Sequence, residues 1–215
     1  MPSAAHKTFR YNLVDVDRLI ETYETLRPMG PGRRGLGHIT RSAIVTLCAS
    51  WEQYIEDVVI ESVELLRIQF NVPSDLPKSV QKKISQNVKN AKHELKPLEL
   101  AGDGWREIYL AYAKGDVANL HSPKSENVAK LFRDHIGGTD LVFESWSLGK
   151  DGLDGFVDVR NTIAHRGRQA GRYVKFNEVE YHRNRIEQAV LETDNFLSEQ
   201  LAQILPNGRP WRRTG

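Results

Sequence analysis

A single cysteine, Cys48, occurs among the 215 residues. With no second one, neither a disulfide framework nor a thiolate metal site can form. Cys48 falls in an apolar helical run, where a small buried filler is expected. No window approaches the roughly 18 unbroken apolar residues of a membrane span, and Met1-Pro-Ser-Ala-Ala-His-Lys lacks the apolar core of a secretory signal. These absences predict a cytoplasmic protein with no membrane contact. Charge of one sign is also scarce. Thirty Lys and Arg against 28 Asp and Glu leave +2, too little by itself to argue for nucleic acid. No H-E-x-x-H, no Cys/His cluster and no G-x-x-x-x-G-K-[ST] order occurs, so no zinc site, nucleotide cradle or other cofactor is expected. No serine sits in a strand-turn-helix elbow.

Helical periodicity is what the sequence has instead. No strand pattern extends beyond a few residues, and no internal repeat is visible. Over 40–69, Ala43, Leu47, Trp51, Tyr54, Val58 and Leu65 trace one stripe, which predicts a helix of about 45 Å, the backbone of a bundle. Shorter helices are predicted over 15–26, 78–95 and 105–114. Ser122 as N-cap and Pro123 at the first position predict another, ended by Gly137-Gly138. Asn177-Glu-Val-Glu180 reads as a capping box opening a last helix to about residue 205. Residues 27–38, with four glycines and two prolines, read as a loop, and 140–154 as a connector carrying Phe143 and Trp146. The domain reading is a tail over 1–14, one helical domain over 15–205, and a basic, frayed tail over 206–215. The fold class is all-α.

The functional signal lies in Phe156-Val-Asp-Val-Arg-Asn-Thr-Ile-Ala-His-Arg-Gly167. Phe156, Val159 and Ile163 form a buried helical stripe, and Arg160, Asn161 and His165 lie off it. Asn161 and His165, four apart, share a face; Arg160 sits roughly 140° round from His165. One helix cannot easily aim both at one atom, whereas a second copy facing it can. Arg160, Arg166, Arg168, Arg172 and Lys175 cluster around the motif, and Arg209, Arg212 and Arg213 end the chain. Such runs serve as solvated faces or as contacts for an anionic ligand. Glu52 and Glu56, four apart on the long helix, read as solvated charge, and the lone His93 as a surface residue.

Arg160-Asn-Thr-Ile-Ala-His165 resembles the R-x4-H signature of the HEPN superfamily, all-helical domains many of which are dimeric, metal-independent ribonucleases. The spacing recurs in Arg33-Arg-Gly-Leu-Gly-His38, among glycines where no helix is expected to persist. Residues 43–57 and 119–132 look like the RiboL-PSP branch, and the resemblance covers about 38–204. It implies a HEPN-like bundle with one long central helix and a short Arg/His motif helix. It also implies an endoribonuclease whose site lies at a homodimer interface, as in toxin–antitoxin or phage-defence systems. Arg160 and His165 would be catalytic, Asn161 and Glu52 supporting, with Glu52 orienting Arg160. Arg166, Arg168 and Arg172 would bind the flanking RNA. RNA, a second copy and an antitoxin protein are the implied partners. A HEPN domain that only binds RNA, a nucleotide or a protein is the alternative. On the residues alone, Arg160 pairing with a carboxylate and His165 capping its helix remain open.

Overall fold

The computed structural model describes residues 1–27, 35–138, 142–166 and 174–213. They form α1 (Ala4–Leu26), α2 (Gly37–Gln69), α3 (Lys78–Lys89), α4 (Gly104–Val117), α5 (Ser125–His135), α6 (Gly149–Arg166) and α7 (Phe176–Ile204). Short 3-10 turns occur at Pro73–Asp75, Lys96–Leu100 and Val142–Ser145. The all-α class is observed, with no strand among the described residues. None of their helices is long and apolar enough to cross a membrane.

The 33 residues of α2 span about 50 Å, and α1, α4, α5, α6 and α7 all pack on it. Its stripe explains this. Ala43, Leu47, Trp51, Tyr54 and Val58 are buried together with Ile44, Ile55 and Val59, so the apolar face is wide enough to serve several neighbours. Trp51 is the hub. Its ring meets Trp146 edge-on at 5.8 Å, and its Nε1 donates to the Pro123 carbonyl at 3.0 Å. Trp146 in turn donates to Thr193 of α7 at 2.8 Å.

The described residues of both expected tails, 1–14 and 206–213, are joined to the bundle. The first helix starts at Ala4, not Asp15, and buries Ala5, Phe9, Leu13 and Val16. Its free N–H groups are met from a distance: Glu61 of α2 accepts from the Ala4 and Ala5 amides, each at 3.0 Å. Ser3 accepts from the His6 amide at 3.0 Å and donates its hydroxyl to buried Asp194 of α7. At the other end Trp211 is buried, with its Nε1 donating to the Asp194 carbonyl at 3.0 Å. The Arg212 amide donates to the Met1 carbonyl at 3.0 Å. One buried residue, Asp194, thus fastens both chain ends.

Other boundaries move for similar reasons. The third helix ends at Lys89, short of 95. The fifth starts at Ser125 and takes its cap from another helix: Asp154 of α6 accepts from the Ser125 amide at 2.8 Å and hydroxyl at 2.9 Å, so Ser122 is not the cap. The last begins at Phe176, with Lys175 rather than Asn177 at its N-cap. The end of the supposed connector, from residue 149 to 154, belongs to α6, which begins at Gly149.

The end of α5 requires glycine. Gly137 has φ +95°, and a Cβ there would lie 2.3 Å from Pro77 Cβ at the start of α3. Gly137→Ala is expected to destabilise the fold by about 2 kcal/mol, lowering the thermal midpoint by about 4–8 °C in a chain of this size. An unchanged midpoint would show that α5 does not abut α3 in this way.

Candidate active site

Burial of Leu153, Phe156, Val157 and Val159 sets the rotation of α6 against α2. Arg160 then faces α2, where Cys48 and Glu52, four residues apart, occupy one face. Its Nη2 donates to Glu52 Oε2 at 2.9 Å, its Nε to Cys48 Sγ at 3.4 Å and its Nη1 to Asn161 Oδ1 at 3.2 Å. Three of its five N–H donors are engaged in this way. Two remain open among the described residues, and the side chain keeps 19% exposure. His165, on the last turn of the same helix, is exposed.

The electrostatics follow from partial burial. Burial pushes the Glu52 carboxyl above the usual carboxylate value, against the pull of Arg160 and then His121. Burial also opposes charge on Arg160, but its bonds to Cys48 and Glu52 hold its pKa above the ordinary value. The two shifts pull in opposite senses, since one eases protonation of Glu52 and the other reflects a firm ion pair. The 2.9 Å geometry decides for the pair at neutral pH. Burial raises the Cys48 thiol, with Arg160 opposing, so the sulfur accepts as a neutral group. It is buried as expected, and it also steers Arg160.

The structure therefore brings Arg160, Asn161 and Glu52 together and leaves His165 apart from them. Asn161 serves Arg160, its carbonyl accepting from the guanidinium. The side chain of Arg166 lies outside the described residues, as do Arg168 and Arg172. Glu56 is half-buried rather than fully solvated, and burial and then Glu52 raise its carboxyl.

Two histidines are closer to this site than the sequence suggested. His121 is exposed on the loop that Trp51 pins through Pro123, and its charge acts on Glu52. The adjacency of Trp51 and Glu52 was the available signal. His38 lies inside α2, contrary to the expected loop, because the helix opens at Gly37. It lines a groove of about 370 Å³ with Arg41, Ser42, Val45, Thr46 and Ile163 of α6. Arg33, its partner in spacing, lies outside the described residues. Among the described residues no three His, Cys, Asp or Glu side chains are grouped to hold a metal ion.

The family model described as RiboL-PSP-HEPN matches residues 4–199. The chain belongs to the RiboL-PSP-HEPN family. No curated protein and no solved structure matches it, so the family model carries the assignment. Within this HEPN domain the matched span starts at the first residue of α1 and ends inside α7. It takes in the whole α2–α6 arrangement around Arg160. Membership supports a HEPN-type function, which in this superfamily is often ribonuclease activity.

Proposed function

We propose that the chain is a homodimeric, metal-independent endoribonuclease, a cytoplasmic toxin or phage-defence component with an antitoxin protein as candidate partner. The observation that carries this reading is the division of α6. Arg160 is anchored on α2 with two N–H donors unpartnered among the described residues, while His165 is exposed further along the same helix. A second copy, related by a two-fold axis, would set both pairs around one phosphodiester.

The chemistry needs few parts. One His165 imidazole takes the proton from the ribose 2′-hydroxyl, and that oxygen attacks the adjacent phosphorus. The bond to the 5′-oxygen breaks, and the departing oxygen takes a proton from the imidazolium of the second copy. The product is a 2′,3′-cyclic phosphate and a free 5′-hydroxyl. Histidine suits both transfers because its ordinary pKa near 6.5 makes either state available at neutral pH. Arg160 stays charged and offers paired donors to the phosphoryl oxygens, stabilising the charge that grows there. Glu52, Cys48 and Asn161 position Arg160. Arg166, Arg168 and Arg172 would grip the flanking backbone.

Purified chain should cleave single-stranded RNA in EDTA and leave 2′,3′-cyclic phosphate ends, resolved by mass spectrometry, while sedimenting as a dimer. RNA bound but left intact, with or without magnesium, would favour the binding-only HEPN domain. Cleavage that requires a divalent ion, or a monomer with full activity, would overturn the mechanism.

A further inference from the structure

A second charged feature lies beside α5. Between α3 and α5 runs a groove of about 580 Å³ whose lining includes Lys82, Lys83, Lys130 and Arg133 against one acid, Asp134. From residue 76 to residue 93 the sequence has five lysines and no carboxylate, so α3 has no acid of its own to neutralise them. Asp134 is already committed: it lies 3.5 Å from Lys83 Nζ and 3.5 Å from Arg133 Nε. Lys83 is also held by Asp116 at 2.8 Å and forms the fixed floor. Lys82, Lys130 and Arg133 are exposed on the walls. Pro77 pressed on Gly137 fixes how the walls meet.

We infer that this α3–α5 groove is an RNA-docking site, which takes single-stranded RNA flanking the cleaved bond by its phosphates. The inference rests on the ribonuclease reading and extends it to a surface outside the motif. Gln86, Asn87 and Asn90 also line the groove, adding donors and acceptors suited to ribose hydroxyls and base edges. An acidic protein partner fits less well. Protein interfaces are anchored by buried apolar and aromatic groups, and the apolar residues of α3, Val80, Ile84 and Val88, all point into the core. The position suits a flanking strand. The fifth helix starts beside the loop pinned at Trp51 and ends at the groove. Its 11 residues cover about 16 Å, close to five stacked nucleotides at about 3.4 Å each.

The test compares Lys82→Ala/Lys130→Ala/Arg133→Ala with Lys7→Ala/Arg10→Ala/Arg18→Ala, an equal loss of charge on α1. Both triples are made in the full chain, with and without His165→Ala. Anisotropy of a fluorescein-labelled 20-nucleotide single-stranded RNA, titrated with the His165→Ala forms across a KCl series, reads binding. The groove triple is expected to bind about tenfold or more weakly. Its log–log salt slope should be shallower by about 2, since each phosphate no longer neutralised removes about 0.7. The α1 triple should keep the parental slope. In cleavage assays the groove triple should raise KM and leave kcat unchanged. Equal losses in both triples, or no change in slope and KM, would overturn the docking site. Cleavage with an unaltered KM would do so while leaving the ribonuclease reading intact. Binding lost in the groove triple of a chain that cuts no RNA would support the groove and sink the nuclease. Polyglutamate competing as well as RNA would overturn the choice of RNA. As these three side chains are exposed, circular dichroism melting should match the parent. A Gln triple at the same positions repeats the measurement with the side-chain bulk retained.

Discussion

His165→Ala is expected to slow RNA cleavage by about a hundred- to ten-thousandfold, toward the upper end because in the proposed symmetric dimer the change removes acid and base together. The fold should barely respond. His165 is exposed on the last turn of α6, and surface substitutions of this kind change stability by about 0.5 kcal/mol or less. The variant should still dimerise and still bind RNA, so kcat falls while Kd holds. A bell-shaped rate profile is expected for the parent, since one imidazole must be neutral while the other is protonated. Titrating the alanine chain into the parent supplies a further check. Each mixed dimer keeps a single imidazole, so activity should fall below the fraction of parental chain present. Undiminished cleavage by the purified variant would remove His165 from the mechanism.

Where periodicity was dense, the sequence reading and the structure agree. The stripe on α2 predicted a helix over 40–69, and the helix runs Gly37–Gln69. Boundaries failed where the deciding contact is remote in sequence. The start of α1 depends on Glu61 and Asp194, far along the chain, and its stripe of Ala5, Phe9, Leu13 and Val16 is thin. The first half of α6 contains Gly149, Gly152 and Gly155, and each of the two inside the helix, Gly152 and Gly155, costs it about 1 kcal/mol relative to alanine. Local propensity therefore favoured a connector, and burial of Leu153 and Phe156 against the bundle overrides it. Ser122 and Asn177 have the chemistry of caps, but Asp154 supplies the cap of α5 from α6. At the site, the Glu52–Arg160 contact followed from the family resemblance. The role of Cys48 did not, because a thiol in an apolar run reads as packing, and its position one turn before Glu52 matters only once α6 is in place. His121 was hidden because its loop is brought to α2 by a contact remote in sequence, that of Trp51 with Pro123.

Arg160 distinguishes a structural ion pair from a catalytic one through a double-mutant cycle with Glu52. Arg160→Ala should reduce kcat by about 10²–10³-fold, the usual cost of removing a donor to the charge of a transition state. It should also destabilise the fold, because Glu52 keeps its partial burial and loses the cation that holds it ionised. Removing one partner of a fully buried pair costs about 3–5 kcal/mol. With side chains 19% and 22% exposed, solvent screening reduces the expected loss to about 1–2 kcal/mol. Glu52→Ala alone should lower kcat by roughly tenfold with little change in KM, since Cys48 and Asn161 still hold the guanidinium but its orientation loosens. In Arg160→Ala/Glu52→Ala no carboxylate is stranded, so the denaturation midpoint should recover most of what the Arg160 change lost. Activity should stay as low as in Arg160→Ala, because the phosphoryl oxygens still lack their cation. Urea melts and single-turnover cleavage on the four proteins give both cycles. If the double variant regains cleavage along with stability, Arg160 serves the fold alone and the proposed mechanism fails.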